Sequence, residues 1–147
     1  MNRRKFLDKS YLGLSTILVA PETITSLGKI DSSSVTNNSK TYAISTWNVS
    51  EANMTAGKAL ESGFSAIEAA VNGVAYEESN LLNTTVGMGG APDRDGVVSL
   101  DACVMNHTGD CGAVLAVENI THVAALAKEV MEKTPHVILA GKGARQF

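Results

Sequence analysis

Three groups of side chains in this sequence of 147 residues have the chemistry to bind a metal or act on a substrate, and their spacing tests each. His107, His122 and His136 are too far apart along the chain to make a recognisable ligand motif, so none is assigned to a metal. Asp93, Arg94 and Asp95 could hold a phosphate or a cation, but Pro92 before them and Gly96 after them read as a surface turn. Cys103 and Cys111 could bridge in an oxidising compartment. Two apolar strands, Val97 to Asn106 and Cys111 to Val117, flank a turn at His107-Thr-Gly-Asp110. A four-residue loop pairs Asn106 with Cys111 and Cys103 with Val114, which sends the two sulfurs to opposite faces of the sheet. Both are therefore expected as free thiols, packed as small core residues. Asp101 sits inside the first of these strands. Buried and unpaired it would cost several kcal/mol, so a hydrogen bond to backbone or to an arginine is expected, as structural support.

The elements that must position these groups alternate between helix and strand. Thr41 to Thr46 is a short apolar strand. Ala52, Thr55, Ala56, Ala59 and Leu60 recur at helical spacing, with Ser50 as N-cap and Gly63 closing the helix. A second helix runs from about Ser65 to Glu77 with Ala66, Ala69, Ala70, Gly73 and Val74 on one narrow face, a pattern that implies close packing on another helix or a sheet. After a loop at Asn80 to Asn83 and the hairpin, a third helix covers about Thr121 to Lys133 and stops before Pro135. His136 to Ala140 is a buried strand by composition. Antiparallel strands with helices on a face give an α+β class built in layers.

Composition narrows the function. With 44% hydrophobic and 18% charged residues the chain can bury a core of ordinary domain size. The net charge is −3 and the basic residues are scattered, so nucleic acid is not an expected partner. Arg3, Arg4, Phe6 and Leu7 match the twin-arginine export pattern, and a short apolar stretch from Tyr11 to Ala20 follows. That stretch is about half of the roughly 20 residues a membrane helix needs, so no permanent span is expected. Residues 1–28 read as a signal peptide, 29–41 as a flexible leader rich in Ser, Thr and Asn, and 42–147 as the folded domain, with a periplasmic or secreted destination.

Two phrases, Gly87-Met-Gly-Gly-Ala-Pro-Asp-Arg-Asp-Gly96 and Val130-Met-Glu-Lys-Thr-Pro-His-Val137, lie behind a strand end at Ser45-Thr-Trp-Asn48. Together they resemble the N-terminal half of the glycosylasparaginase family, amidohydrolases that remove the sugar from asparagine-linked glycans. The resemblance covers most of Tyr42 to Phe147. The second phrase is shared with plant-type asparaginases and isoaspartyl peptidases. The Ser45-Thr-Trp-Asn48 strand end and Pro92-Asp-Arg-Asp-Gly96 resemble the glycosylasparaginase branch, and the His-Gly-Gly opening usual in the other branch is absent.

The resemblance implies an N-terminal-nucleophile hydrolase fold, a four-layer αββα sandwich of which this chain would supply part. It implies no cofactor and no metal, a small glycosylated asparagine as substrate, and a partner subunit cut from the same precursor, the pair then dimerising. The family's nucleophile is a threonine freed by self-cleavage after a His-Asp dipeptide, and the sequence reaches Phe147 before any such phrase. No catalytic residue is therefore expected in this chain, and the isolated product is expected to aggregate. Trp47, with Asn48, is carried over as substrate-binding, because the family counterpart of this tryptophan lines the pocket beside the nucleophile. A lone Trp at a strand end would otherwise be a core residue. The larger aromatic common in the family near Val49 is missing, which alters the pocket's shape. Gly89 and Gly90 are expected to permit a close backbone approach, and Asp93 to support the turn. Thr85-Val-Gly-Met88 resembles the phrase that opens the family's catalytic subunit, yet Asn83-Thr84 precedes it in place of His-Asp, so Thr85 is expected in a loop or strand. The alternatives are a plant-type asparaginase or isoaspartyl peptidase, and an inactive remnant.

Overall fold

A computed structural model describes residues 40–147. The twin-arginine pattern at Arg3, Arg4, Phe6 and Leu7, the signal over residues 1–28 and nearly all of the leader at 29–41 lie outside the described residues. The described elements run, in order, α1 (Ser50–Glu61), α2 (Ala66–Glu78), a single 3-10 turn (Gly87–Gly89), β1 (Ser99–Met105), β2 (Cys111–Glu118), α3 (Val123–Lys133), β3 (Ile138–Ala140) and α4 (Gly141–Gln146). None of the described helices is long and apolar enough to cross a membrane.

Helix α1 starts one residue earlier than its cap residue suggests. Ser50 is the first helical residue and Val49 takes the cap position without a side-chain bond. The Ser45 hydroxyl donates to Trp47 O at 2.7 Å and Val49 N–H donates to the same oxygen at 2.9 Å, so the chain bends tightly and enters the helix early. At the other end Gly63 stands at φ +86°, with Phe64 N–H donating to Ala59 O and Gly63 N–H to Leu60 O. This pair of bonds satisfies the last carbonyls and ends the helix where the glycine predicts. Ser65 then caps α2 in a reciprocal box with Glu68. The small face of α2 meets α1: a Cβ on Gly73 would lie 2.8 Å from Ala52 O and 3.0 Å from Ala56 Cβ, so the two backbones touch.

The sheet has the order β1-β2-β3, antiparallel between β1 and β2 and parallel between β2 and β3, where α3 makes the crossover. The parallel pair is an addition to the antiparallel expectation. The hairpin register also differs by one residue: Met105 pairs with Cys111 and Cys103 with Ala113. Asn106 belongs to the turn, because its Oδ1 accepts from Thr108 N at 3.0 Å and Asp110 N at 2.9 Å. The loop is thereby five residues, and the one-residue slip puts Cys103 and Cys111 on the same face. Both are free thiols, but Cys103 is exposed and Cys111 half-buried, so neither is a core residue.

The inner face of the sheet carries the core. Val114 and Val117 of β2 pack with Val123, Ala127 and Val130 of α3 and with Ala144 of α4, flanked by Leu100, Ala102 and Val104 of β1. Gly112 is what lets α3 come this close, since a Cβ there would run into Ala127 O and lie 2.7 Å from Met131 Cβ. The register shifts between Leu100 and Ala102, and Ala116 takes φ +50° opposite the shift. Asp101 stabilises this bulge: its Oδ1 accepts from Ala116 N–H at 2.7 Å. The carboxylate is exposed, not buried as its place in an apolar strand suggests.

Two expected strands fall short. Residues 41–46 form no strand, and Tyr42 and Ile44 are exposed. At the other end β3 is three residues rather than five, and Val137 and Ile138 are exposed instead of buried. Thr134 accounts for the late start: its hydroxyl donates to Val130 O and accepts from His136 N–H, which holds the chain in a turn up to residue 136.

Candidate active site

Trp47 stands at a cleft of about 740 Å³ between the segment 41–47 and the apolar faces of α1 and α2. Its wall is mainly small and apolar, with Ala52, Ala56, Ala69 and Ala70 from the two helices. The alanines that let the helices pack closely also leave room beside them. Trp47 is 63% exposed, so its indole is a wall of the cleft and not a core residue. Asn48 is exposed as well, and it does not line the cleft.

Polar groups gather at two places on the wall. Near Trp47, Asn53 Nδ2 donates to Ser45 Oγ at 3.0 Å, and that hydroxyl donates on to Trp47 O. Elsewhere Glu77 Oε2 accepts from Asn83 Nδ2 at 2.9 Å, and Asn83 Oδ1 accepts both Thr85 N–H at 3.0 Å and the Thr85 hydroxyl at 2.7 Å. Each hydroxyl thus gives its proton to an amide or carbonyl oxygen. Among the described residues, neither Ser45 nor Thr85 is hydrogen-bonded to a histidine, lysine or carboxylate that could take a proton from it, which an activated nucleophile requires. Thr85 lies in the irregular stretch before the 3-10 turn, as a local Asn-Thr turn residue. The cleft can bind a small molecule and orient it by amide and hydroxyl groups.

The other residues singled out from the sequence lie outside this cleft. Asp93 Oδ1 accepts Asp95 N–H at 2.8 Å and Val97 N–H at 2.9 Å, which makes Pro92 to Gly96 a self-contained turn. Arg94 and Asp95 form only an exposed contact at 3.6 Å. Gly89 is pressed against backbone, a Cβ there falling 2.7 Å from Leu81 O, while Gly90 is less tight at 3.0 Å from Gly87 O. Among the described residues no three of His, Cys, Asp and Glu come together as a metal cage.

Sequence reasoning missed Glu78. It is the one buried charged residue among those described, at 3% exposure. From the end of α2 its Oε1 accepts Ala124 N–H at 2.8 Å and its Oε2 meets His122 Nδ1 at 3.2 Å. Helix α3 has no side-chain cap of its own, so Glu78 serves as its cap from another helix. Gly87 at φ +67° is packed against the Glu78 backbone and leaves no room for a Cβ. The sequence marks only a glutamate closing an otherwise small and apolar helix face, and nothing local ties it to a partner 46 residues on.

A family model described as "Asparaginase" matches residues 23–147. An N(4)-(Beta-N-acetylglucosaminyl)-L-asparaginase of Elizabethkingia miricola is 41% identical over 99% of this chain and 43% of its own length. The mouse N(4)-(beta-N-acetylglucosaminyl)-L-asparaginase is 39% identical over 71% of the chain and 30% of its own length. A probable isoaspartyl peptidase/L-asparaginase 3 of Arabidopsis thaliana is 40% identical over 71% of the chain and 29% of its own length. The chain thus spans less than half the length of these relatives.

Proposed function

The chain belongs to the asparaginase family of amide hydrolases, and from that premise we propose that it is the front portion of an exported enzyme that cleaves the side-chain amide of glycosylated asparagine. The observation that carries the reading is the 41% identity to the Elizabethkingia protein, which extends over 99% of this chain. The tryptophan-walled cleft supports it, since an indole face suits the apolar side of a sugar or of an aspartyl moiety.

In the proposed whole enzyme the nucleophile is a threonine freed at the start of a second subunit of the same precursor. Its α-amino group acts as base for its own hydroxyl, which attacks the side-chain carbonyl, and water resolves the acyl-enzyme. An α-amino group suits the role because its unperturbed pKa of about 7.7–8.0 lies near neutrality. Trp47 walls the substrate and contributes no proton transfer. The second subunit also supplies strands for the other inner sheet of a four-layer αββα sandwich, laid on the sheet face where Met105, Leu115 and Ile138 are exposed in this chain. The twin-arginine pattern delivers the protein to the periplasm.

The 40% identity to the plant protein favours a second reading, an isoaspartyl peptidase or L-asparaginase. The full-length protein should be assayed on N-acetylglucosaminyl-asparagine, asparagine and a β-aspartyl dipeptide. Highest kcat/KM on the first is expected, with Trp47→Ala raising KM for it. Turnover confined to the dipeptide or asparagine would replace the first reading with the second.

A further inference from the structure

The hydrogen bonds on the cleft wall beyond Trp47 run in one direction. Glu77 Oε2 accepts from two amides, Asn83 Nδ2 at 2.9 Å and Asn80 Nδ2 at 3.3 Å. Asn83 Oδ1 in turn accepts the Thr85 N–H at 3.0 Å and the Thr85 hydroxyl at 2.7 Å. Glu77, Asn83 and Thr85 all line the cleft that Trp47 walls. Glu77 is half-buried in the last turn of α2, and its neighbour Glu78 is engaged by α3 and lines no part of this cleft.

An asparagine amide can offer either its oxygen or its nitrogen to a neighbour, whereas a carboxylate only accepts. Glu77 therefore takes the Nδ2 end of Asn83 and turns Oδ1 toward Thr85. That oxygen carries no proton, so the Thr85 hydroxyl gives up its own to it, and Thr85 Oγ1 is left with lone pairs alone. The Thr85 N–H claims the same oxygen, so the amide is held from both ends in one orientation. The loop itself has other ties: Asn83 N–H donates to Asn80 O at 3.0 Å and Leu82 N–H to Asn80 Oδ1 at 3.1 Å. Removing the carboxylate thus leaves the turn bonded and frees the Asn83 amide to swing.

We propose, resting on the reading that the second subunit's freed α-amino group is the base, that Glu77 is a positioning residue which acts through Asn83 to fix the Thr85 hydroxyl as the acceptor for that amino group. A neutral amine has two N–H donors and one lone pair. With one N–H given to Thr85 Oγ1, the amine is held in direction and its lone pair is left for the hydroxyl it must deprotonate. Glu77 itself takes up no proton, and no bond is made or broken at Thr85.

The test is steady-state kinetics of the full-length enzyme on N-acetylglucosaminyl-asparagine, asparagine and a β-aspartyl dipeptide, with kcat counted per processed chain. Glu77→Met keeps the length of the side chain and removes the acceptor. Its kcat should fall at least about tenfold, because misplacing a reacting group by about 1 Å costs on the order of 100-fold. KM should stay within about twofold, since Trp47 and the apolar wall are untouched. Glu77→Gln should restore kcat to within about threefold of wild type, as both amides meet the single oxygen Oε2 and one carbonyl oxygen replaces it. Thr85→Val should lower kcat as Glu77→Met does, and adding Glu77→Met to it should cost less than about twofold more, because residues that act through one another are not additive. An unchanged kcat in Glu77→Met, a KM that rises as kcat falls, or additive losses in the double variant would each overturn this inference and leave the hydrolase reading standing. Wild-type turnover of none of the three substrates would overturn both.

Discussion

Removing the Glu78 carboxylate tests the reading that α2 caps α3. In Glu78→Ala, Ala124 N–H loses its 2.8 Å acceptor while remaining buried, since Ala124 is 4% exposed. A hydrogen bond to a charged group contributes about 1.5–3 kcal/mol, and an orphaned buried donor sits at the upper part of that range. The His122 contact adds little, because the ring is 48% exposed and screened by solvent. The expected loss is therefore about 2–3 kcal/mol. Glu78→Gln keeps an acceptor of the same shape for Ala124 N–H and gives up only the charge, so about 1 kcal/mol is expected. The assay is the urea midpoint of the full-length protein, with amide exchange at Ala124 as the local readout. The order Ala worse than Gln, with Ala124 exchange accelerated in the alanine variant, is the expected outcome. A Glu78→Ala midpoint shifted by less than the equivalent of about 0.5 kcal/mol would refute the capping role, since that is the range of inert surface changes.

Three further outcomes are expected. Gly112→Ala places a methyl group against Ala127 O and Met131, so α3 must lift off the sheet, at a cost of about 1–3 kcal/mol by chemical denaturation. The Ser65 hydroxyl, followed by the Ser65 backbone N–H, holds the Glu68 carboxyl below its usual range, and this stabilises the fold above the unfolded pKa and is lost as pH falls through the folded one. Ser65→Ala should therefore raise the Glu68 pKa in an NMR titration and flatten the acid limb of the stability curve. The 147-residue chain expressed by itself should scatter light and lack a cooperative thermal transition, and a soluble monomer melting in one step would contradict this.

Local chemistry made much of the scaffold legible. Gly63 after an amphipathic run, Ser65 with Glu68 three residues on, and Pro135 after a helical face each act within a few residues, so α1, α2 and α3 end close to where the sequence places them. The misses come from interactions that sequence distance hides. The hairpin register turned on whether Asn106 spends its side chain on the turn or its backbone on the ladder, and one residue of difference moved Cys103 and Cys111 to a common face. Glu78 and Ala124 are remote in sequence, so no local pattern announces their bond. Helix α4 follows β3 directly with Gly141 at φ +51° and rests on Ala144, a single small residue that gives no periodic signal. The cleft was foreshadowed only by Trp47, since its alanine wall reads in sequence as helix packing alone.

The same small residues bear on how this layer is held. Val114, Val117 and Val130 are the largest side chains fully buried among the described residues, and most of the remaining core is alanine. Burial of a valine contributes about 1.5 kcal/mol or somewhat more, and an alanine less, whereas ordering each residue costs about 1–2 kcal/mol of backbone entropy. Meanwhile the larger apolar groups, Met105, Leu115, Val137 and Ile138, lie on the outward side of the sheet or its approach, and Tyr42, Ile44 and Trp47 on the segment before α1. On the sheet, Met105, Leu115 and Ile138 face away from the helices, while Leu100, Val104 and Leu139 on the inner face are only partly buried against the core. A helix layer resting on valine and alanine sits close to its sheet, and Gly112 is the position where this closeness becomes backbone contact, as Gly73 is between α2 and α1. Further hydrophobic stabilisation is available to the sheet on its other face, where Met105, Leu115 and Ile138 are exposed, which is the physical reason to expect that a second layer from the proposed partner subunit stabilises this one.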